Sequence, residues 1–349
     1  MSAATAPFLA ACRRQPVPHT PVWFMRQAGR ALPEYWAVRG TGSILEAIAK
    51  PEVAAEITLQ PVRRYGVDAA ILFSDIIVPV WSTGFGVEIV AGRGPVVADP
   101  IRSAADVERL RPLDPERDVP FVAETVRILA RELPDRVPLI GFAGAPFTVS
   151  SYLVEGGPSR DFTKVKGLMH TEPATWDRLV DRLADMAIGS LRAQIGAGAR
   201  AVQLFDSWAG SLSPADYVRY ALPATTKVLD GIADLGVPTV LFGVGTGELL
   251  SLMASAGPDV VGIDWRVPLD EARRRVGPSC AIQGNLDPAA CLAPVEVVLD
   301  AARTVLESAG TEPGHIFNLG HGVLPETDPA VLEAVVEVVH AEGRAGVQG

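Results

Sequence analysis

Two arginines lie in a segment that is otherwise aromatic and apolar: WFMRQAGRALPEYW, residues 23–36, places Arg26 and Arg30 four apart. A guanidinium keeps its charge in almost any protein environment, and its planar fork matches a carboxylate. Lysine in such a place tends to lose its proton, so arginine here suits the grip of an acidic ligand, with Phe24, Leu32, Tyr35 and Trp36 expected to keep water away. The plain alternative is an ion pair inside the segment, Arg30 with Glu34, also four apart. Asp75 has a comparable setting between the apolar runs AILFS and IIVPVW, where a carboxylate is partly desolvated and needs a donor. His321 sits in LGHGV with glycine on both sides, which permits close backbone approach and a turn whose N–H groups can face an anion. The other histidines, His19, His170, His315 and His340, lack such a setting and read as structural or exposed.

These groups must be positioned by a large soluble framework. The chain has 349 residues, and its hydrophobic share of 48% is enough for a sizeable core. Its formal net charge of -10 disfavours a nucleic-acid partner, so any anionic ligand has to be held by local positive charge against the global field. The cysteines, Cys12, Cys280 and Cys291, form no CxxC pair, which suggests neither a disulfide framework nor a zinc finger and suits a reducing cytoplasm. Residues 1–15 read as a short flexible tail, not a signal peptide, and 16–349 as one domain. No run approaches the roughly 18 apolar residues of a membrane span.

Short runs apolar on both faces alternate with helical patterns. The runs are 67–75, 137–144, 199–207, 237–244, 258–265, 279–287 and 314–322. Strands covered on both sides read this way in a parallel sheet. Between them, 173–198 and 294–310 are amphipathic helices; Ser213 with Pro214, and Asp328 with Pro329, are helix-start signals. Seven such runs in one domain predict an α/β fold, a single-domain (β/α)8 TIM-like barrel, with VWFMR either the eighth strand or a packed N-terminal arm. Residues 86–99, GVEIVAGRGPVVAD, predict a β-hairpin inserted after an early strand. The alternative, an open doubly wound sheet, is weakened by the lack of a G-x-G-x-x-G opening a helix.

Barrel chemistry gathers at the C-terminal ends of the strands. Those ends carry Asp75, Phe205-Asp206-Ser207, Asp264, Asn285 and His321. A polar residue there can equally bond the next loop or cap the next helix, the plainer reading for Asp264 and Asn285. No metal-ligand spacing, GxSxG elbow or P-loop is present. The inventory lacks a strong nucleophile and a cofactor motif, and suits a substrate that is its own electron sink.

Several blocks carry a resemblance. PVWFMRQAGRALPEY and GFAGAPFTVSSYLVEGG (141–157) resemble the signatures of the uroporphyrinogen decarboxylase family, and FSDI, LFDSWAG, QGNLDP and FNLGHGVLPETDP match further family blocks in the same order. The resemblance spans nearly all of the chain after the first fifteen or so residues. It implies a cytoplasmic, homodimeric, cofactor-free barrel that removes the four acetate carboxylates of uroporphyrinogen III to give coproporphyrinogen III in haem biosynthesis. Carried over residue by residue, it implies catalytic or substrate-binding roles for Arg26, Arg30, Asp75, Tyr152 and His321, and substrate contacts by Gln27 and Ser207. Asp206 stands where relatives can carry a different acid. The rival readings are a zinc-dependent methyltransferase on the same barrel, which would need His and Cys ligands near the later strands, and a non-catalytic tetrapyrrole carrier.

Overall fold

A computed structural model describes residues 6–29, 31–90 and 92–343. Nine strands follow in chain order: β1 (Ala70–Ile71), β2 (Val87–Val90), β3 (Gly94–Val97), β4 (Leu139–Gly144), β5 (Ala201–Asp206), β6 (Thr239–Gly243), β7 (Val260–Gly262), β8 (Ala281–Leu286) and β9 (His315–Leu319). Seven form one parallel sheet in the order β1-β4-β5-β6-β7-β8-β9, and β2 and β3 form the expected antiparallel hairpin. The barrel strands are buried on both faces, as their unbroken apolar runs require.

The eighth position is taken by the segment around Val22, which bridges the sheet's two edges. On one side the Phe317 N–H donates to the Pro21 carbonyl (2.8 Å) and the Trp23 N–H to the Phe317 carbonyl (3.3 Å). On the other side the Asp68 N–H donates to the Val22 carbonyl at 2.8 Å, and the Val22 N–H donates back to the Asp68 carboxylate at 2.8 Å. VWFMR therefore closes the sheet as a single bridge with a packed aromatic arm, joining the two readings its sequence allowed. Inside, the Trp23 indole N–H donates to Gln283 (2.9 Å), whose amide donates to Gln203 (3.0 Å), while the Gln203 amide nitrogen has no partner among the described residues.

β1 is short for a physical reason. Past Ile140 the β1 side of β4 has no neighbouring strand, and the buried side chain of Gln194 supplies the missing partners. Its carbonyl accepts from the Phe142 N–H (2.8 Å) and its amide donates to the Phe142 carbonyl (2.9 Å). The chain after β1 is thereby free to leave the sheet and carry Asp75 away from it.

The helix starts agree with their sequence signals. Ser213 accepts from the Asp216 N–H (3.1 Å) and Asp328 from the Ala330 N–H (2.9 Å). The 173–198 pattern is the helix Pro173–Ala197, with Trp176, Leu179, Leu183, Ala187 and Leu191 on its buried stripe. The expected N-terminal tail needs correction from Ala6 onward. Pro7–Cys12 is a helix whose Phe8 and Ala11 are fully buried and which packs against β9. The small residues that suggested flexibility instead let this turn lie close beneath the barrel, and Arg14 extends it over Gly314 at the start of β9. Among the described residues no helix is long and apolar enough to cross a membrane.

Candidate active site

Five of the expected residues stand at the C-terminal ends of the strands. Arg26 follows the closing segment, Asp75 follows β1, Tyr152 lies on the helix Pro146–Glu155 after β4, Ser207 follows β5, and His321 follows β9. Arg30 lies outside the described residues. Glu34, its expected ion-pair partner, is bridged by Arg64 at 3.1 Å.

Arg26 is held from several directions. Met25 is pinned by its N–H to Asn318 Oδ1 (3.0 Å) and by its carbonyl to the Val323 N–H (2.8 Å). The backbone of Arg26 itself is left-handed (φ 60°), a conformation that costs an L-residue roughly 1–2 kcal/mol. Its side-chain methylenes lie where a Cβ on Gly322 would be, so the second glycine of LGHG is required by this packing. The first, Gly320, is required by the backbone of Asp264 and Trp265. The glycines of that motif therefore serve close approach, as expected.

The aromatic sheath around the arginine is a correction. Phe24, Leu32 and Tyr35 point into the core, while Arg26 is exposed. Trp36 is 47% exposed and carries Arg39 over its ring at 5.4 Å. Gln27 is a second correction. It is 2% exposed, its carbonyl accepts from the Phe24 N–H (3.0 Å) and its amide donates to the Ala69 carbonyl (3.1 Å). Both ends of the side chain are used, so Gln27 braces the loop that presents Arg26 and has no polar end to offer a ligand.

Asp75 is half-buried. Oδ1 accepts the Ile77 N–H at 3.0 Å, and Oδ2 has no hydrogen bond among the described residues. Burial raises its pKa; the Ile77 N–H and the charge of Arg26 act against that. Tyr152 feels the same two charges. Burial raises its phenol, a bond from Trp208 opposes the rise, and the two rings meet edge to face at 5.7 Å. Ser207 is half-buried at the start of the turn that carries Trp208.

His321 is positioned by its own loop. The Gly322 N–H donates to Nδ1 at 2.6 Å, which leaves the neutral ring's proton on Nε2. Burial, then the Arg26 charge, lower its pKa to about 4. It therefore stands at neutral pH as an uncharged Nε2–H donor. Phe142, Phe205 and Phe242 form an edge-to-face series that ends on the His321 ring at 6.1 Å, an apolar layer at this end of the barrel.

The other strand-end residues serve the scaffold. Asp264 accepts from Gly245 N–H, Arg266 N–H and the Arg266 guanidinium, and Asn285 donates to the carbonyls of Asp264 (2.8 Å) and Val267 (2.7 Å). Asp206 is fully buried; Oδ1 accepts from Thr148 (2.7 Å) and Oδ2 is unpartnered. Its burial pushes the carboxyl up to about 6, with Thr148 opposing. Sequence reasoning missed Asn318, Gln194 and the bracing role of Gln27. Gln27 and Asn318 lay in motif blocks, where their bracing roles could not be read, and nothing in local spacing signals a side chain such as Gln194 that replaces a strand.

Cys12 and Cys280 stand at the opposite end, and Cys291 lies in the short turn Pro288–Leu292 that follows β8. Cys280 precedes β8 and bonds the Pro258 carbonyl (3.2 Å), while Cys291 is buried with its thiol pushed up to about 12 by burial. Neither thiol joins His321 in a cluster of metal-ligand geometry among the described residues.

A family model described as Uroporphyrinogen decarboxylase (URO-D) matches residues 3–342. The chain is 61% identical over 337 residues to a uroporphyrinogen decarboxylase of Salinispora tropica, covering 97% of this chain and 90% of that one. It is 61% identical over 335 residues to the protein of the same name from Streptomyces coelicolor, covering 96% and 94%. Among solved structures, a methyltransferase from Methanosarcina mazei superposes with a TM-score of 0.79 over 96% of this chain and 97% of that one; at 20% identity this is a likeness of fold.

Proposed function

This chain belongs to the uroporphyrinogen decarboxylase family, and on that premise we propose that it removes carbon dioxide from the four acetate arms of uroporphyrinogen III, giving coproporphyrinogen III for haem biosynthesis. The carrying observation is Asp75, a half-buried carboxylate at a strand end with one oxygen unbonded among the described residues, in the field of Arg26.

The substrate presents four pyrrole N–H donors at its centre and eight carboxylates at its rim. One ionised carboxylate has about four lone-pair sites, so the macrocycle can dome over Asp75 and direct its N–H groups there. Those donors favour the ionised form and draw the Asp75 pKa down on binding. A proton then adds to a pyrrole carbon beside an acetate arm, and the ring becomes cationic. The bond to the carboxylate breaks, its electron pair flows into the ring, and carbon dioxide leaves. A second proton converts the remaining methylene into a methyl group, and the first proton then leaves the ring carbon to restore the aromatic pyrrole. The fixed anion of Asp75 stabilises the cationic ring better than mobile water, because its orientation is set before the reaction. The protonated pyrrole is the electron sink, so the scheme calls on no cofactor.

Arg26 and Arg30 are the cations for the rim. Gripping the departing carboxylate tightly would stabilise the ground state, so at least one of them holds a carboxylate that stays. Tyr152 and Ser207 offer hydroxyls to carboxylates, and His321 offers its Nε2–H. Bound carboxylates also raise the His321 pKa again. The protein is further proposed to be a cytoplasmic homodimer, on the family resemblance.

The test is anaerobic incubation of the chelator-treated protein with uroporphyrinogen III, separating products by carboxylate number. The expected result is seven-, six-, five- and then four-carboxylate species. A folded protein that binds the substrate but releases no carbon dioxide would sink the enzymatic reading and favour the carrier. Light scattering at working concentration tests the dimer; a monomer mass rejects it.

A further inference from the structure

At the opposite end of the barrel, three side chains from distant parts of the sequence converge. His19 lies before the closing segment, Asp68 before β1, and His340 on the helix Pro329–Glu342. His19 Nε2 is 3.0 Å from Asp68 Oδ1, and His340 Nε2 is 2.8 Å from Asp68 Oδ2. The imidazole rings are tilted against each other with centroids 4.4 Å apart, so both face one carboxylate. The three candidate ligand atoms lie within 4.8 Å of one another.

We propose that His19, Asp68 and His340 form a structural zinc site at the N-terminal end of the barrel. Two imidazoles and one carboxylate are a donor set that zinc takes readily, with bonds of about 2.0–2.2 Å. Tetrahedral ligands with such bonds stand roughly 3.3 Å apart; the two histidine–aspartate distances open by a few tenths of an ångström to reach this, and the two imidazole nitrogens, within 4.8 Å of one another, adjust to the same spacing. The imidazole side chains are 27% and 31% exposed, which gives zinc a path in and leaves room for water as a fourth ligand. The carboxylate is already oriented by the Val22 N–H at 2.8 Å, the outer support that ligating carboxylates commonly have.

Binding exchanges the two Nε2–H···O bonds for metal bonds. Each neutral imidazole moves its proton from Nε2 to Nδ1, where exposure lets water accept it. The site joins the chain before the barrel, the edge at β1 and the C-terminal helix, and zinc would lock them across the closure. It shares no residue with the proposed decarboxylation site, so either reading can fail alone.

The experiment is titration of metal-free protein with cobalt(II) at neutral pH, followed by displacement with zinc. One equivalent of cobalt is expected to give the visible bands of a four- or five-coordinate nitrogen–oxygen site, abolished by zinc. His19→Gln and His340→Gln are each expected to weaken binding by at least about tenfold. In the wild-type protein, zinc is also expected to shield His19 and His340 from diethyl pyrocarbonate, a readout that does not depend on a variant folding. Absence of equimolar binding, bands unchanged in both variants, or unaltered labelling of the two histidines would each overturn the proposal.

Discussion

Asp68 and Asp75 flank the same two-residue strand and are in opposite conditions. Asp68 is buried with both oxygens bonded, by His19, His340 and the Val22 N–H. Burial alone would raise its pKa, but the bonds from His19 and His340 outweigh it and hold the carboxyl at about 2. Asp75 has one N–H and an open oxygen, and burial wins there, raising its pKa. The difference teaches what the number of partners does. A carboxylate with both oxygens bonded within the protein ties distant segments together, whereas one with an open oxygen can receive the N–H groups of a ligand.

The largest expected effect separates them on the activity side. Asp75→Asn keeps the shape and removes the anion, so turnover is expected to fall by about 10²–10³, the size seen when a fixed electrostatic partner is lost, with the melting temperature unchanged. Near-normal steady-state rates would break the comparison. Next, Asp68→Asn removes the charge and turns one of the two acceptor oxygens into a donor facing an imidazole or the Val22 N–H, and is expected to cost about 3 kcal/mol of stability, read by denaturant unfolding, while turnover at low temperature stays near wild type. Its pH signature has a definite sign. Because the folded pKa is depressed, Asp68 contributes above its ordinary value of 3.8, and about 2 kcal/mol is lost as pH falls from there to about 2. The variant should lack that loss.

A third aspartate sharpens the contrast. Asp206 is as buried as Asp68 but has a single partner for two oxygens. Its raised pKa of about 6 works in the opposite direction. Its contribution is full below the ordinary value of 3.8 and is lost as pH rises through 6, a change of about 3 kcal/mol. Asp206→Asn is expected to flatten that fall and raise the melting temperature at pH 7.5; a lower melting temperature there would show that the ionised form has a partner. The smallest effect is expected from Arg26→Gly. It relieves a left-handed backbone, worth roughly 1 kcal/mol, so stability should hold or rise slightly even as KM climbs. A large drop in melting temperature would mean that Arg26 is a structural ion-pair member.

The barrel was legible because burial on both faces writes itself as seven apolar runs, and the hairpin because its alternation and glycine turn are local. Asp75, Arg26 and His321 were legible as polar groups among apolar or glycine neighbours. What stayed hidden depends on partners far away in sequence. Composition made Pro7–Cys12 look like a tail, since packing beneath a barrel leaves no periodic signature in six residues. Gln27 looked available until its two backbone partners were in place, and the His321 pKa could not be read from a motif that omits Arg26 and Phe242. The clustering of His19, Asp68 and His340 was invisible for the same reason.

The closure around Val22 also sets an order of events during synthesis. The segment that presents Arg26 leaves the ribosome well before β9, yet the Met25 N–H donates to Asn318, 293 residues later. Until β9 and the loop to Val323 have emerged, the arginine has no fixed position and Asp68 has no His340. A nascent chain can therefore hold most of its strands and still have neither a sealed barrel nor a working mouth. Contacts this distant are formed slowly, because a long stretch of chain must be ordered before they form. The unsealed edges are exposed in the meantime to pairing with other chains. Truncations that stop short of β9 are accordingly expected to aggregate, with no graded residual activity.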